Sequence, residues 1–241
     1  MIVACPVFSS AGQAVQRVIS LSPLVTETIY LLGAQDRLAG STIYCNLPPA
    51  ARHKEKVGSM THANIEKILS LKPDLVIACP LTSRAQMAQL ESLGIRVVIL
   101  ENPNTVDMIW RTTLSLGQML GAEVQAADLI RNAKDRALEI EQLTRGLEKP
   151  RVFIQIGIQP LKTATGKSFI SEYIRLCGGT NIAHGLPTNK ITVEEVVVKD
   201  PEVILIATMG TSKKAGEPVR KGWLRHRTIQ AVKDGRVHVL D

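Results

Sequence analysis

Five histidines and four cysteines are the residues of this chain best equipped to hold a metal or to act as base and nucleophile. Their spacing suits neither task. His53 and His62 lie nine residues apart, and His184, His226 and His238 are scattered, so no pair stands one helical turn apart as a zinc helix requires. Cys5, Cys45, Cys79 and Cys177 form no CxxC. Each reads as a small buried or half-exposed thiol, with a disulfide left open. Ala164-Thr-Gly-Lys-Ser168 ends like a phosphate-binding loop, but Leu161 stands where the first glycine is needed and the preceding strand is too far away. No GxGxxG follows the strand-like run Arg17–Leu21, and no GxSxG occurs. Ser22 imitates a nucleophile after a strand, yet Pro23 makes it a helix cap. No catalytic activity is expected.

Binding chemistry is better represented. Tyr44, the Ser59-Met60-Thr61-His62 loop, Pro80, Gln159, Pro160, Thr188, Asn189 and Met209 all follow strand-like runs or precede helices. In open α/β sheets such carboxyl-end loops line the ligand crevice. Singly each is an ordinary loop residue; collected on one rim they make a site. There His62 or Tyr44 could reach the metal centre of a ligand.

The elements that would position these loops follow a regular grammar. Residues 121–146 form a glycine-bracketed helix rich in Ala, Leu, Glu, Lys, Arg and Gln, on the order of 35 Å long. Ala126, Ile130, Ala133, Ala137, Ile140 and Leu147 give it one apolar stripe. Asp128 with Arg131, Arg131 with Asp135 and Glu141 with Arg145 are spaced to pair on its wet face. On both sides of it, capped helices alternate with buried strands, which implies mainly parallel sheets. Asn64-Ile-Glu-Lys-Ile-Leu and Lys72-Pro-Asp-Leu-Val-Ile-Ala78 return as Thr192-Val-Glu-Glu-Val-Val and Asp200-Pro-Glu-Val-Ile-Leu-Ile-Ala207, offset by one residue. A repeat this long means duplicated lobes and not a solenoid. The expected organisation is a tail at 1–16, an α/β lobe at 17–120, a linking helix at 121–149 and a second α/β lobe at 150–241. Two similar lobes usually enclose a cleft.

Composition narrows the class. The net charge of +7 invites nucleic acid as a partner, but eight Lys or Arg against three acids fall after Thr211, with Trp223 the one aromatic residue there. A solvated basic lobe accounts for this better than a base-stacking surface, and no nucleic-acid partner is expected. No run of eighteen apolar residues exists. Ile2-Val-Ala-Cys5 looks like the end of a bacterial lipoprotein signal, whose charged and apolar regions are not in this sequence. A lipid anchor at Cys5 would then be the chain's attachment to a membrane.

Arg17-Val-Ile-Ser-Leu-Ser-Pro-Leu-Val-Thr-Glu27, Tyr44-Cys-Asn-Leu-Pro-Pro49, Asn64–Ile77, Leu93-Gly-Ile-Arg-Val97 and Cys177-Gly-Gly-Thr-Asn-Ile182 occur in the order seen in the helical-backbone periplasmic binding proteins of ABC importers, and the chain resembles that family over residues 17–241. The resemblance implies two α/β lobes bridged by one long helix, with cobalamin, haem or a ferric siderophore held between them. It implies that a Glu on each lobe, here Glu66 and Glu194, engages Arg residues of the membrane permease dimer. Such charge pairs set orientation and on-rate more than affinity. Phe153-Ile-Gln-Ile-Gly-Ile-Gln-Pro160 and the Cys-Gly-Gly segment look closest to the cobalamin binders, and Tyr44 falls where they place a ligand-contacting Tyr. Met60, Cys79 and Thr188 stand where they present Trp, so the expected ligands rank as corrinoid, haem, then siderophore, with His62 the axial-ligand candidate. The family's members continue into a terminal helix that this sequence does not carry, and Cys177 is expected to have lost a disulfide partner with it. A single packed helix has no hinge strand, so small motion on binding is expected. A cytosolic doubly wound enzyme or sensor is the remoter reading.

Overall fold

The computed structural model describes residues 15–207 and 213–240. The chain divides into two compact units, one of Met1–Glu101 with Thr113–Ala127, the other of Asn102–Thr112 with Asp128–Asp241. The first contains β1 (Val18–Ser20), α1 (Pro23–Leu31), β2 (Leu38–Ser41), β3 (Glu55–Lys56), α2 (Ile65–Ser70), β4 (Leu75–Ala78), α3 (Arg84–Ser92) and β5 (Arg96–Ile99). Helices α4 (Val106–Leu120) and α5 (Glu123–Thr144) follow, and each contributes residues to both units. The second unit continues with β6 (Arg151–Gly157), β7 (Lys162–Thr163), α6 (Phe169–Leu176), β8 (Thr180–Asn181), α7 (Val193–Lys199), β9 (Val203–Ala207), α8 (Lys213–Trp223), α9 (Gln230–Lys233) and β10 (Val237–Leu240).

Both sheets are parallel-dominated, as the helix–strand alternation requires. The first runs β3-β2-β1-β4-β5 and every pair in it is parallel. The second runs β10-β9-β6-β7, with β8 also on β6, and only β6 with β7 is antiparallel. Strands buried on both faces read as unbroken apolar runs. Leu75-Val-Ile-Ala78 is wholly buried, and its Val76 and Ala78 pack with Ile19, Leu21 and Ile68 into the first core. Phe153, Ile204, Trp223 and Ile229 form the second. A buried side chain of this size contributes about 1.5–3 kcal/mol.

The repeat is visible atom by atom. In the first unit the Arg17 guanidinium donates from Nε and Nη2 to the Leu71 carbonyl at 2.9 and 2.7 Å, and the Arg17 N–H reaches the Asp74 carboxylate at 3.1 and 3.2 Å. In the second, Arg151 Nε donates to the Asp200 carbonyl and the Arg151 N–H to Glu202 Oε2, each at 2.9 Å. The residue before each turn proline is left-handed, Lys72 at φ 48° and Asp200 at φ 42°. The same latch therefore closes the amino end of both sheets, offset by one residue on the helix side.

The long helix corrects one expectation. Ala126 and Ile130 are buried, but Ala133 is exposed, and Leu147 lies beyond the end of α5 and is 62% exposed. The stripe is buried at Ala126 and Ile130 and only half-buried at Ala137 and Ile140. Asp128 does pair with Arg131, but among the described residues no ion pair joins Arg131 to Asp135 or Glu141 to Arg145, and Arg136 pairs with Glu139. Ser22 sits at the cap of α1 with no side-chain bond to its amides; its carbonyl accepts from the Thr26 N–H at 3.0 Å and from Ser20 Oγ at 2.9 Å. Helices α8 and α9 were not expected from the sequence. Cys45 and Cys79 are buried free thiols and Cys177 an exposed one, while Cys5 lies outside the described residues.

Candidate functional site

Parallel strands deliver their carboxyl ends to one edge, and in the first unit that edge gathers Tyr44, Met60, Thr61, His62 and Pro80. Tyr44 sits in the turn after β2, and its ring is 54% exposed. Its N–H donates to Thr42 Oγ1 at 3.3 Å, and the Cys45 N–H to the Thr42 carbonyl at 3.1 Å. Cys45 is buried, so the turn is anchored on its inner side.

Beside it stands the Ser59–His62 turn. Gly58 pairs with Ala63 across its neck, the Ser59 N–H donates to the His62 carbonyl at 2.9 Å, and the His62 N–H donates to Ser59 Oγ at 3.0 Å. Gly58 has φ 104°, and a Cβ there would lie 2.4 Å from the His62 carbonyl oxygen, so only glycine closes this neck. Gln86 from α3 holds the far side, accepting from the Ala63 N–H at 3.1 Å and donating to the Ala63 carbonyl at 2.6 Å. The two turns are joined directly: the Ile43 N–H donates to the Gly58 carbonyl at 2.9 Å.

His62 is exposed, with Nδ1 2.9 Å from Thr61 Oγ1, which itself lies 3.2 Å from Ser59 Oγ. When Nδ1 carries the proton and donates to Thr61, Nε2 keeps the lone pair that a metal would take. Met60 is half-buried, and Pro80 is exposed at the end of β4. Below Pro80, buried Thr82 accepts from the Cys79 N–H at 3.3 Å.

The second unit brings Gln159, Pro160, Thr188 and Asn189 to the β6–β7 end of its sheet. Gln159 and Pro160 lie in the exposed turn between these strands, joined by a cis peptide. Thr188 and Asn189 belong to the exposed segment beside β7, where the Thr163 N–H donates to the Asn189 carbonyl at 2.8 Å. Met209 follows β9 but lies outside the described residues.

The phosphate-loop imitation at Ala164–Ser168 is structural. The Gly166 N–H is spent on the His184 carbonyl at 3.0 Å, and Ser168 Oγ caps its own helix at the Ile170 N–H. Asn181 binds this segment through the Ala164 carbonyl at 2.8 Å and Ser171 Oγ at 3.1 Å. Among the described residues no three His, Cys, Asp or Glu side chains gather to hold a metal ion, and no helix is long and apolar enough to cross a membrane. A groove of about 400 Å³ between α3 and β5, lined by Arg84, Met87, Ala88, Glu91, Val97 and Ile99, contains none of the site residues.

Glu66 and Glu194 occupy the second position of α2 and α7 and are exposed. Their neighbours are committed elsewhere. Asn64 caps α2 at the Lys67 N–H, and Lys67 pairs with Glu55 at 2.7 Å. Thr192 and Glu195 close a reciprocal capping box at 3.2 and 2.7 Å. Among the described residues neither the Glu66 nor the Glu194 side chain has a hydrogen bond or ion pair. Sequence reasoning missed Lys56 and Gln86, which build the first rim from behind; a lone Lys before Val-Gly and a helical Gln carry no local signal.

Residues 18–241 match the family model described as periplasmic binding protein. The chain is 32% identical over 224 residues to the vitamin B12-binding protein of Yersinia pestis (strain Pestoides F), covering 92% of this chain and 79% of that one. It is similar to the periplasmic vitamin B12 binding protein BtuF of Vibrio cholerae, with TM-score 0.74, 28% identity and coverage of 94% and 88%. The periplasmic heme binding protein HutB of Vibrio cholerae shares the fold at TM-score 0.82 with 20% identity, over 94% of this chain and 90% of that one. The chain belongs to the periplasmic binding protein family, as a binding component of transport and not an enzyme.

Proposed function

We propose that this protein captures a metal chelate outside the cytoplasmic membrane and hands it to the permease dimer of an ABC importer, with a corrinoid ranked first, haem second and a ferric siderophore third. The observation that carries the reading is the first rim, where the Tyr44 and Ser59–His62 turns are bonded edge to edge through Ile43 and Gly58. An exposed phenol ring, a half-buried thioether at Met60 and an imidazole oriented by Thr61 together suit a flat, apolar ligand carrying a metal. Gln159, Pro160, Thr188, Asn189 and Met209 are the ligand contacts assigned to the second unit. The 32% identity to a vitamin B12-binding protein supports the ranking of the corrinoid.

Titration of the purified protein with cyanocobalamin, haem and a ferric siderophore, followed by absorbance and calorimetry, tests class and ligand together. Saturable binding of one of them is expected, and none with any of the three would overturn the reading. With haem, His62→Ala is expected to change the Soret band if His62 is an axial ligand.

Glu66 and Glu194 are the docking residues in this scheme, because their carboxylates are left uncommitted while their neighbours cap and pair. Glu66→Ala with Glu194→Ala is expected to leave chelate affinity unchanged and to lower transport into reconstituted vesicles. Undiminished permease binding by the double variant would rule the role out. Cys5 is the residue through which a lipid anchor would hold the protein at the outer face of the cytoplasmic membrane.

A further inference from the structure

A half-buried ammonium behind the Tyr44 turn has no place in ligand contact or permease docking. Lys56 is the last residue of β3, and its Nζ donates to Ser41 Oγ at 3.1 Å, to the Cys45 carbonyl at 3.0 Å and to the Ala51 carbonyl at 3.0 Å. An ammonium has three donors, and all three are used. The acceptors come from the end of β2, from the residue after Tyr44, and from the short 3-10 helix Pro49–His53. Two of them are backbone carbonyls six residues apart, so a single nitrogen cinches the loop that carries Tyr44.

The chain on either side of Lys56 strengthens this. Ser41 and Lys56 are register partners, and the Val57 N–H donates to the Ser41 carbonyl at 3.0 Å. Two residues on, the Gly58 carbonyl takes the Ile43 N–H. The stretch 56–58 thus grips the Tyr44 turn before and after the tyrosine. Within the loop, Thr42 Oγ1 accepts from the Tyr44 N–H and lies 3.2 Å from Cys45 Sγ, and Arg52 Nε donates to the Asn46 carbonyl at 3.2 Å on the exposed side. Of these ties the Lys56 bonds are charge-assisted, the stronger kind. Burial lowers the Lys56 pKa from its ordinary value, with the neighbouring Cys45 opposing.

We propose that Lys56 is the positioning residue of the ligand rim: its ammonium fixes the loop from Thr42 to His53 so that the Tyr44 ring is presented in one orientation. The ligand half of this rests on the reading of Tyr44 as a chelate contact. Holding an aromatic contact in place before binding removes the cost of ordering it on binding.

The test uses the full chain as Lys56→Met, which keeps the stem and removes the donors, with Tyr44→Ala and the double variant. In the unliganded protein, amide hydrogen exchange of residues 42–51 is expected to quicken at least tenfold in K56M, with the β4 amides unchanged. Affinity for cyanocobalamin or haem, whichever the wild type binds, is expected to fall about tenfold in K56M. In the Y44A background the same change is expected to cost less than twofold, since a residue acting through Tyr44 has nothing left to position. Lys56→Arg is the second variant, should K56M not fold. It keeps the charge, but a planar guanidinium cannot feed three acceptors converging on one nitrogen, so an intermediate loosening is expected. Unchanged exchange at 42–51 in K56M, multiplicative effects of K56M and Y44A, or a K56R identical to wild type would each overturn the proposal. A wild type that binds neither probe would remove the ligand half, and exchange would still decide whether Lys56 holds the loop.

Discussion

The two units share a base and differ at the rim. At the amino end of each sheet an arginine opens the first strand of the repeat, bonds the carbonyl at the end of a helix, and offers its N–H to an acid just past a turn proline. At the carboxyl end the likeness stops. The first rim is locked by Lys56, Gln86, Thr42 and Ser59 into two turns bonded to one another. The second presents Gln159 and Pro160 on an exposed turn, and Thr188 Oγ1 accepts only a 3.4 Å bond from the Lys190 N–H. Duplication supplied one scaffold; side chains tie the first rim from behind, while the second is tied mainly through its backbone, as where the Thr163 N–H meets the Asn189 carbonyl at 2.8 Å. A preorganised rim should carry orientation and selectivity, and a looser one should adapt.

The contrast breaks most visibly at glycine. Gly58→Ala sets a Cβ against the His62 carbonyl at a left-handed position, whereas a Cβ at Gly185 in the second unit meets nothing within 4 Å. G58A is expected to cost at least ~2 kcal/mol in urea denaturation, and G185A to stay within about 0.5 kcal/mol. Next comes the ligand. Tyr44→Ala should weaken chelate binding about tenfold, close to ~1.4 kcal/mol, and Gln159→Ala by less than about threefold, both by calorimetry. Equal losses would end the distinction between a rigid and an adaptable rim.

A smaller effect should run the other way in the second unit. Thr163 is fully buried on β7 with its hydroxyl unpartnered. Thr163→Val keeps the shape and removes the orphan, so a gain of ~1 kcal/mol is expected from chemical denaturation. The smallest effect is a pH dependence placed in the first unit. Burial raises the Glu27 pKa from its ordinary value of 4.5, so the folded protein holds that proton more tightly than the unfolded chain. Its contribution is complete below pH 4.5 and is lost as pH rises through the folded pKa. Glu27→Gln should therefore gain on wild type between acid and neutral pH, by about 0.5 kcal/mol or less. A gain that does not change with pH would remove the assignment.

Much of this was legible in the sequence where a period or a cap was at work. The apolar run Leu75–Ala78 and the capped starts at Asn64 and Thr192 appear where their patterns put them. Two-residue strands such as β3, β7 and β8 show no period, so Lys56 could not be read as the end of one. Gly216 and Pro218 read as helix breakers, yet both lie inside α8. A Cβ at Gly216 would fall 2.3 Å from Val239, so the glycine serves the approach of α8 to β10, and tertiary packing overrides local propensity. Of the site, the loops were legible from their place after strands. The Lys56 and Gln86 bonds that back the first rim come from residues 11 and 23 positions away and have no local signature.

Both tryptophans of the chain, Trp110 and Trp223, belong to the second unit. Trp223 is buried with its indole donating to Gln155 Oε1 at 2.7 Å, and Lys134 stands over the Trp110 ring at 4.5 Å. Tryptophan emission is therefore a spectroscopic window on one half of the molecule. The rim that holds Tyr44 and His62 is dark in that channel, while circular dichroism sees the helices of both halves. Superimposable denaturation curves from the two signals would mean that the halves unfold as one cooperative body. Separated curves would give each its own stability without cutting the chain.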